Sequence, residues 1–166
     1  MSRIINKYLL RPIIYDSIFS LVIGIIIYFT TCYNYLYIPS QDFIQNLLSD
    51  LATIAFTSAG FILTILTVLV TFKANSKKKE TIKEYDSALS LFFNTPLYPK
   101  STNILKNSIK ILLFVALFSF LLKAFSLEFQ MEFLFASLIF PLILITMALL
   151  RCVLLLSKIL ELQNNE

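Results

Sequence analysis

Long apolar runs separated by short polar clusters set the pattern of this chain. Residues 13–33 contain Leu21-Val22-Ile23-Gly24-Ile25-Ile26-Ile27, and no charge lies between Asp50 and Lys73. A membrane-spanning helix needs about 20 mostly apolar residues. Four stretches meet that requirement, at about 13–33, 47–72, 104–125 and 131–157. The third has the shortest uncharged core, Ile111 to Leu122. It spans if Lys110 and Lys123 lay their stems along the helix and keep their ammonium groups at the interfaces. The fourth holds Pro141, which lacks a backbone donor and is expected to kink it. The pattern predicts an all-α fold: one four-helix transmembrane bundle over residues 1–166.

Polar positions inside the second span are not scattered. Asn46, Asp50, Thr53, Thr57, Gly60, Thr64, Thr67 and Thr71 follow one another at intervals of four and three residues. Such a heptad-like repeat places all eight on one stripe of a helix. Small and hydroxyl residues let helices approach closely in lipid and bond across the contact. The same stripe facing a water-filled axis would line a pore, with Asp50 as an acidic ring at its outer mouth. Threonine can return its hydroxyl bond to its own helix and needs no water, which favours packing. Either arrangement calls for more than one copy of the chain, because a four-span monomer has little interior in which to hide the whole seam.

The connection from 73 to about 102 is the only sizeable segment outside the spans. In it Ile82, Tyr85, Leu89, Phe92 and Phe93 recur at helical spacing, opposite Lys79, Lys83, Glu84 and Ser87. This predicts an amphipathic helix, ended by Asn94-Thr95-Pro96. Lying on the inner leaflet or extending span two is the simpler role for it and docking a cytoplasmic partner the sharper one. Lys77, Lys78, Lys79 and Lys83 fit contact with anionic headgroups or that partner. The Tyr33–Tyr37 stretch, with three tyrosines, reads as an interfacial aromatic belt.

Composition agrees with lipid as the solvent. Of 166 residues, 58% are hydrophobic and 14% charged, whereas a soluble domain carries about 25% charged residues. Thirteen of the fourteen basic residues fall in the leader (Arg3, Lys7, Arg11), the central connection and the end of the fourth span; Lys123 stands on the other side. The positive-inside bias therefore predicts cytoplasmic termini and a cytoplasmic central connection. It also accounts for the net charge of +4 without nucleic acid. The first span has no small-x-small cleavage site and reads as a retained helix.

Catalytic machinery is not legible. There is no His, only two Gly, and two Cys far apart in sequence, Cys32 and Cys152, expected near opposite membrane faces as unpaired filler. No phosphate-binding loop, metal cluster or nucleophile with a base is recognisable, so neither an enzyme nor a cofactor is expected. Two charges interrupt apolar runs, Asp16 and Arg151. Charges inside spans are expensive and usually meet a partner. Both are expected near the inner ends of their spans, so an ion pair competes with independent snorkelling.

The run Ala59-Gly60-Phe61-Ile62-Leu63-Thr64-Ile65-Leu66-Thr67-Val68-Leu69, followed by a lysine-rich stretch and a Phe-rich amphipathic loop, resembles a pattern in small bacterial four-span proteins. Some of these accompany phage-defence genes, and the membrane subunit of the Kiwa defence system is similar in size and span layout. The resemblance covers spans two and three and the loop. It implies a homo-oligomeric inner-membrane sensor or effector working with a cytoplasmic partner, and it carries over no functional residue. A channel or pore-forming effector is the alternative expectation, and a holin a more distant one.

Overall fold

In the computed structural model, the described backbone comprises residues 12–33, 35–79, 93 and 97–164. It forms four long helices: α1, Pro12–Cys32; α2, Gln41–Lys79; α3, Leu97–Ala124; and α4, Met131–Asn164. Each contains a stretch long and apolar enough to cross a membrane: Ile14–Cys32, Gln41–Ala74, Tyr98–Ala124 and Met131–Ser157. The expected four-helix, all-α architecture is therefore present.

Local chemistry explains the helix ends. Pro12 begins α1, where its missing N–H would have no helical partner anyway. The Ser40 carbonyl accepts the first bond of α2 from the Ile44 amide at 3.1 Å, and Asp42 sits in the positive first turn. Lys123 occupies the negative last turn of α3. The turn 125–130 then leads into α4, opened by the Leu134 amide bonding the Gln130 carbonyl at 3.0 Å.

The helices run up and down, each antiparallel to the next. Along α2 and α3, the Gln45 side-chain amide donates to Ser126 Oγ at one end (2.7 Å). Phe56 meets Phe120 in the middle, and the Lys73 ammonium lies 4.0 Å over the Tyr98 ring at the other end. α3 returns along α4, with Phe118 edge-on to Phe140. α2 packs on α3 and α4, whereas α1 packs chiefly on α4.

One continuous apolar core joins α2, α3 and α4 through residues such as Ile44, Leu48, Ile62, Leu105, Leu112, Val115, Leu134 and Leu138. Large apolar side chains also cover the outside, among them Ile18, Ile26, Phe61, Phe114, Leu121 and Val153. In water such a surface would aggregate; in a bilayer it meets hydrocarbon.

The helices extend beyond the spans read from the sequence. α2 begins at Gln41, not near 47, and its helix continues to Lys79; α3 begins at Leu97, not near 104. Hydropathy picks out the most apolar run, whereas polar residues such as Asn46, Lys100 and Lys106 continue the helix beyond that run. The segments between α1 and α2 and between α2 and α3 are correspondingly shorter than the spans alone imply. α4 continues helical through Pro141 to Asn164. The amphipathic stripe of Ile82, Tyr85, Leu89 and Phe92 lies outside the described residues, as do Lys83 and the leader lysine and arginines. Lys77, Lys78 and Lys79 are placed by backbone alone, in the last turns of α2.

Candidate functional site

Two constellations stand out, an outward seam on α2 and a buried charge pair between α1 and α4.

The seam is set by helix geometry. Ile44, Leu48, Leu51, Ala55, Ile62 and Leu69 are buried on the core side of α2. Two residues after each stands Asn46, Asp50, Thr53, Thr57, Thr64 or Thr71. Two residues turn a helix by about 200°, so the polar stripe must point away from the core. All eight seam residues, including Gly60 and Thr67, are exposed. Among the described residues nothing packs on this stripe at Gly60, where an added Cβ would meet no atom within 4 Å.

The threonine hydroxyls on the seam are satisfied locally. Thr53 donates to the Ser49 carbonyl (2.9 Å), Thr57 to Thr53 (2.7 Å), Thr64 to Gly60 (3.0 Å), Thr67 to Leu63 (2.9 Å) and Thr71 to Thr67 (2.9 Å). This back-bonding lets a hydroxyl face hydrocarbon or another helix without stranding a donor. The methyl groups and the bare Gly60 then form a shallow, narrow track flanked by Phe56, Phe61 and Val68, all exposed. Asp50 is exposed at one end of the uncharged stretch 51–72.

The charge pair is a different kind of site. Asp16 and Arg151 are 2% and 4% exposed, and Arg151 Nη2 donates to Asp16 Oδ2 in a salt bridge. α1 places Asp16 one turn from its start, and α4 places Arg151 two-thirds along its length, so the antiparallel packing brings the two to one level. The structure thus joins them, in place of independent snorkelling. Arg151 is consequently a partner within the bundle and not part of the interfacial basic excess, leaving twelve residues against one.

A second stripe, on α1, was missed in the sequence. Asp16, Ser20 and Thr31 are its buried residues among the described side chains. Gly24 lies on the same face, where an added Cβ would stand 3.7 Å from the Ala136 carbonyl oxygen of α4. The spacing of four, four and seven was the available signal; the surrounding isoleucines concealed it.

Cys152 is buried and Cys32 exposed, and both are free. Cys32 lines an open cleft with Gln130, Met131 and Glu132 at the start of α4. Cys152 lies about 30 Å further along that helix, so no intrachain bridge can join the two. Among the described residues no group of three or more His, Cys, Asp or Glu could hold a metal.

Comparison with protein-family models, curated proteins and solved structures finds no match. The four apolar helices make the chain a membrane-spanning protein by length and composition.

Proposed function

We propose that this is a non-enzymatic, self-associating protein of the bacterial inner membrane, whose copies join along the α2 seam. In this reading it serves as a membrane sensor or anchor for a cytoplasmic protein partner, in the manner of four-span proteins that accompany anti-phage defence. Both termini and the central connection face the cytoplasm, next to an anionic inner leaflet. Lys77, Lys78, Lys79 and Lys83 meet the headgroups or the partner there, and no nucleic acid is bound directly.

The carrying observation is the exposure of all eight seam residues on the face of α2 opposite its own core. Exposed threonines and a glycine are poor choices for contact with lipid alone, where larger apolar side chains would serve. They are good choices for close helix approach, since association in lipid depends on van der Waals contact and small residues. The locally bonded hydroxyls favour a dry contact over a wet pore lining. The reading predicts an oligomer in detergent and in liposomes, disrupted by bulk at Gly60, with no ion flux from the wild-type chain. A monomer at all protein-to-lipid ratios would refute it. A sustained conductance abolished by Thr64→Val would establish the channel alternative instead.

A further inference from the structure

We infer that α1 is a detachable helix, latched to α4 by the Asp16–Arg151 ion pair, and that opening this latch is a conformational step built into the bundle. The inference uses helices other than the α2 seam and holds whether or not copies associate there.

Three observations converge. First, none of the described side chains of α1 belongs to the continuous apolar core, neither among its buried members nor among the half-buried side chains packed on it. The other three helices share that core, so they remain a packed unit without α1. Second, the described side chains that α1 buries are Asp16, Ser20 and Thr31, and none is apolar. Ser20 donates to the Ser17 carbonyl at 3.0 Å, and Thr31 donates to the carbonyls of Ile27 and Tyr28 at 2.9 and 2.8 Å. These hydroxyl bonds lie within α1 and travel with it. Third, the salt bridge to Arg151 does not travel with it.

Lipid makes this arrangement permissive. The exposed face of α1, with Ile18, Val22, Ile25, Ile26 and Phe29, meets hydrocarbon in both states. No hydrophobic driving force holds one apolar helix against another in a bilayer. Contact at Gly24 beside the Ala136 carbonyl is ordinary van der Waals approach. The ion pair adds to the van der Waals contact between α1 and α4 a contribution that depends on both charges, because leaving one of them unpaired in a low-dielectric interior is costly. Removing either charge shifts a two-state equilibrium toward the undocked helix. Undocking parts Asp16 from Arg151 and uncovers the α1-facing side of α4.

The test measures distances between spin labels in lipid nanodiscs, on the full chain in a cysteine-free background. Labelled protein is diluted with unlabelled protein, so that only distances within one chain contribute. Labels at Ile18→Cys and Leu154→Cys, both exposed, report α1 against α4. Labels at Val70→Cys and Asn103→Cys, both exposed, report α2 against α3 as the internal control. With the native charges the α1–α4 pair should give one short distance. Asp16→Asn and Arg151→Met should each raise a longer-distance population at least ten-fold, with the α2–α3 distances unchanged. An unaltered α1–α4 distribution in both variants would overturn the inference, since the pair would then hold nothing. Broadening of the α2–α3 distances together with those of α1–α4 would overturn it equally, because α1 would then be part of one cooperative core.

Discussion

Replacing Gly60 by leucine separates folding from assembly, because the two respond in opposite directions. Within one chain the new side chain has room, since among the described residues nothing stands within 4 Å of the position a Cβ would take. Glycine inside a helix costs about 0.5–1 kcal/mol relative to alanine, and leucine ranks close to alanine in helix propensity. The isolated bundle should therefore be as stable as the native one, or up to about 1 kcal/mol more stable. At an α2–α2 contact the same side chain enters a track of methyl groups and bare backbone. Overpacking of a fitted contact costs about 1–3 kcal/mol. At about 1.4 kcal/mol per ten-fold, that weakens association roughly 5- to 150-fold. Measuring the mass of the detergent complex over a protein dilution series, alongside thermal unfolding, reads both quantities from one preparation. The expected result is a higher dissociation constant at unchanged or raised melting temperature. An oligomer unchanged in mass and affinity would refute the packing role of the seam, and so would a fall in melting temperature with no change in association.

Other substitutions sort the remaining contributions. Thr64→Val removes a hydroxyl bonded within its own helix; it should leave the oligomer intact, since membrane hydrogen bonds average about 0.6 kcal/mol, and dissociation at micromolar protein would contradict this. Asp50→Asn should also leave the oligomer intact, and reconstituted liposomes should show no ion flux before or after the change; a cation current reduced by the substitution would instead mark Asp50 as a channel mouth. Gln45→Ala loses the bond to Ser126 that ties the start of α2 to the turn before α4, and the bundle should lose about 0.5–1.5 kcal/mol, read as a lower unfolding midpoint; an unchanged midpoint would show the clasp to be energetically idle. In a cysteine-free background, a cysteine at Asn34 should label from outside intact cells and one at Lys79 only after permeabilisation, whereas outside labelling at 79 would reverse the proposed topology.

Much of this architecture is readable in the chain because lipid imposes a simple rule. A backbone in hydrocarbon must satisfy its own polar groups, so long apolar runs become helices. The face on which the α2 seam lies was equally readable, since a stripe two residues out of phase with Leu48, Leu51 and Ile62 has to turn its back on them. The helix ends were less legible. Gln41 and Leu97 begin helices that extend past the most apolar runs, and the hydropathy of a segment says nothing of a helix continuing through polar residues such as Asn46 and Lys100. The separateness of α1 was least legible of all. Its run Ile23 to Ile27 looks like core, but apolar residues do not distinguish a lipid face from an interior one. Only the buried trio Asp16, Ser20 and Thr31 betrays the side on which it docks. Asp16 and Arg151 could be matched by depth, while their contact depended on α1 choosing α4 as its neighbour.

The inner and outer stripes of α2 share one frame of reading. Residues 44, 48, 51, 55, 62 and 69 look toward the bundle, and 46, 50, 53, 57, 64 and 71 look away, on a common beat of seven. Inserting a single residue near 56 would rotate everything after it by about 100°, taking both stripes off their targets at once. Inserting seven would advance the helix by about two turns and return both to nearly the same bearing. Length changes in this helix are thus confined to whole heptads, whereas substitutions can alter one side and spare the other. Point changes let the two surfaces diverge independently, but insertions and deletions bind them to a common fate.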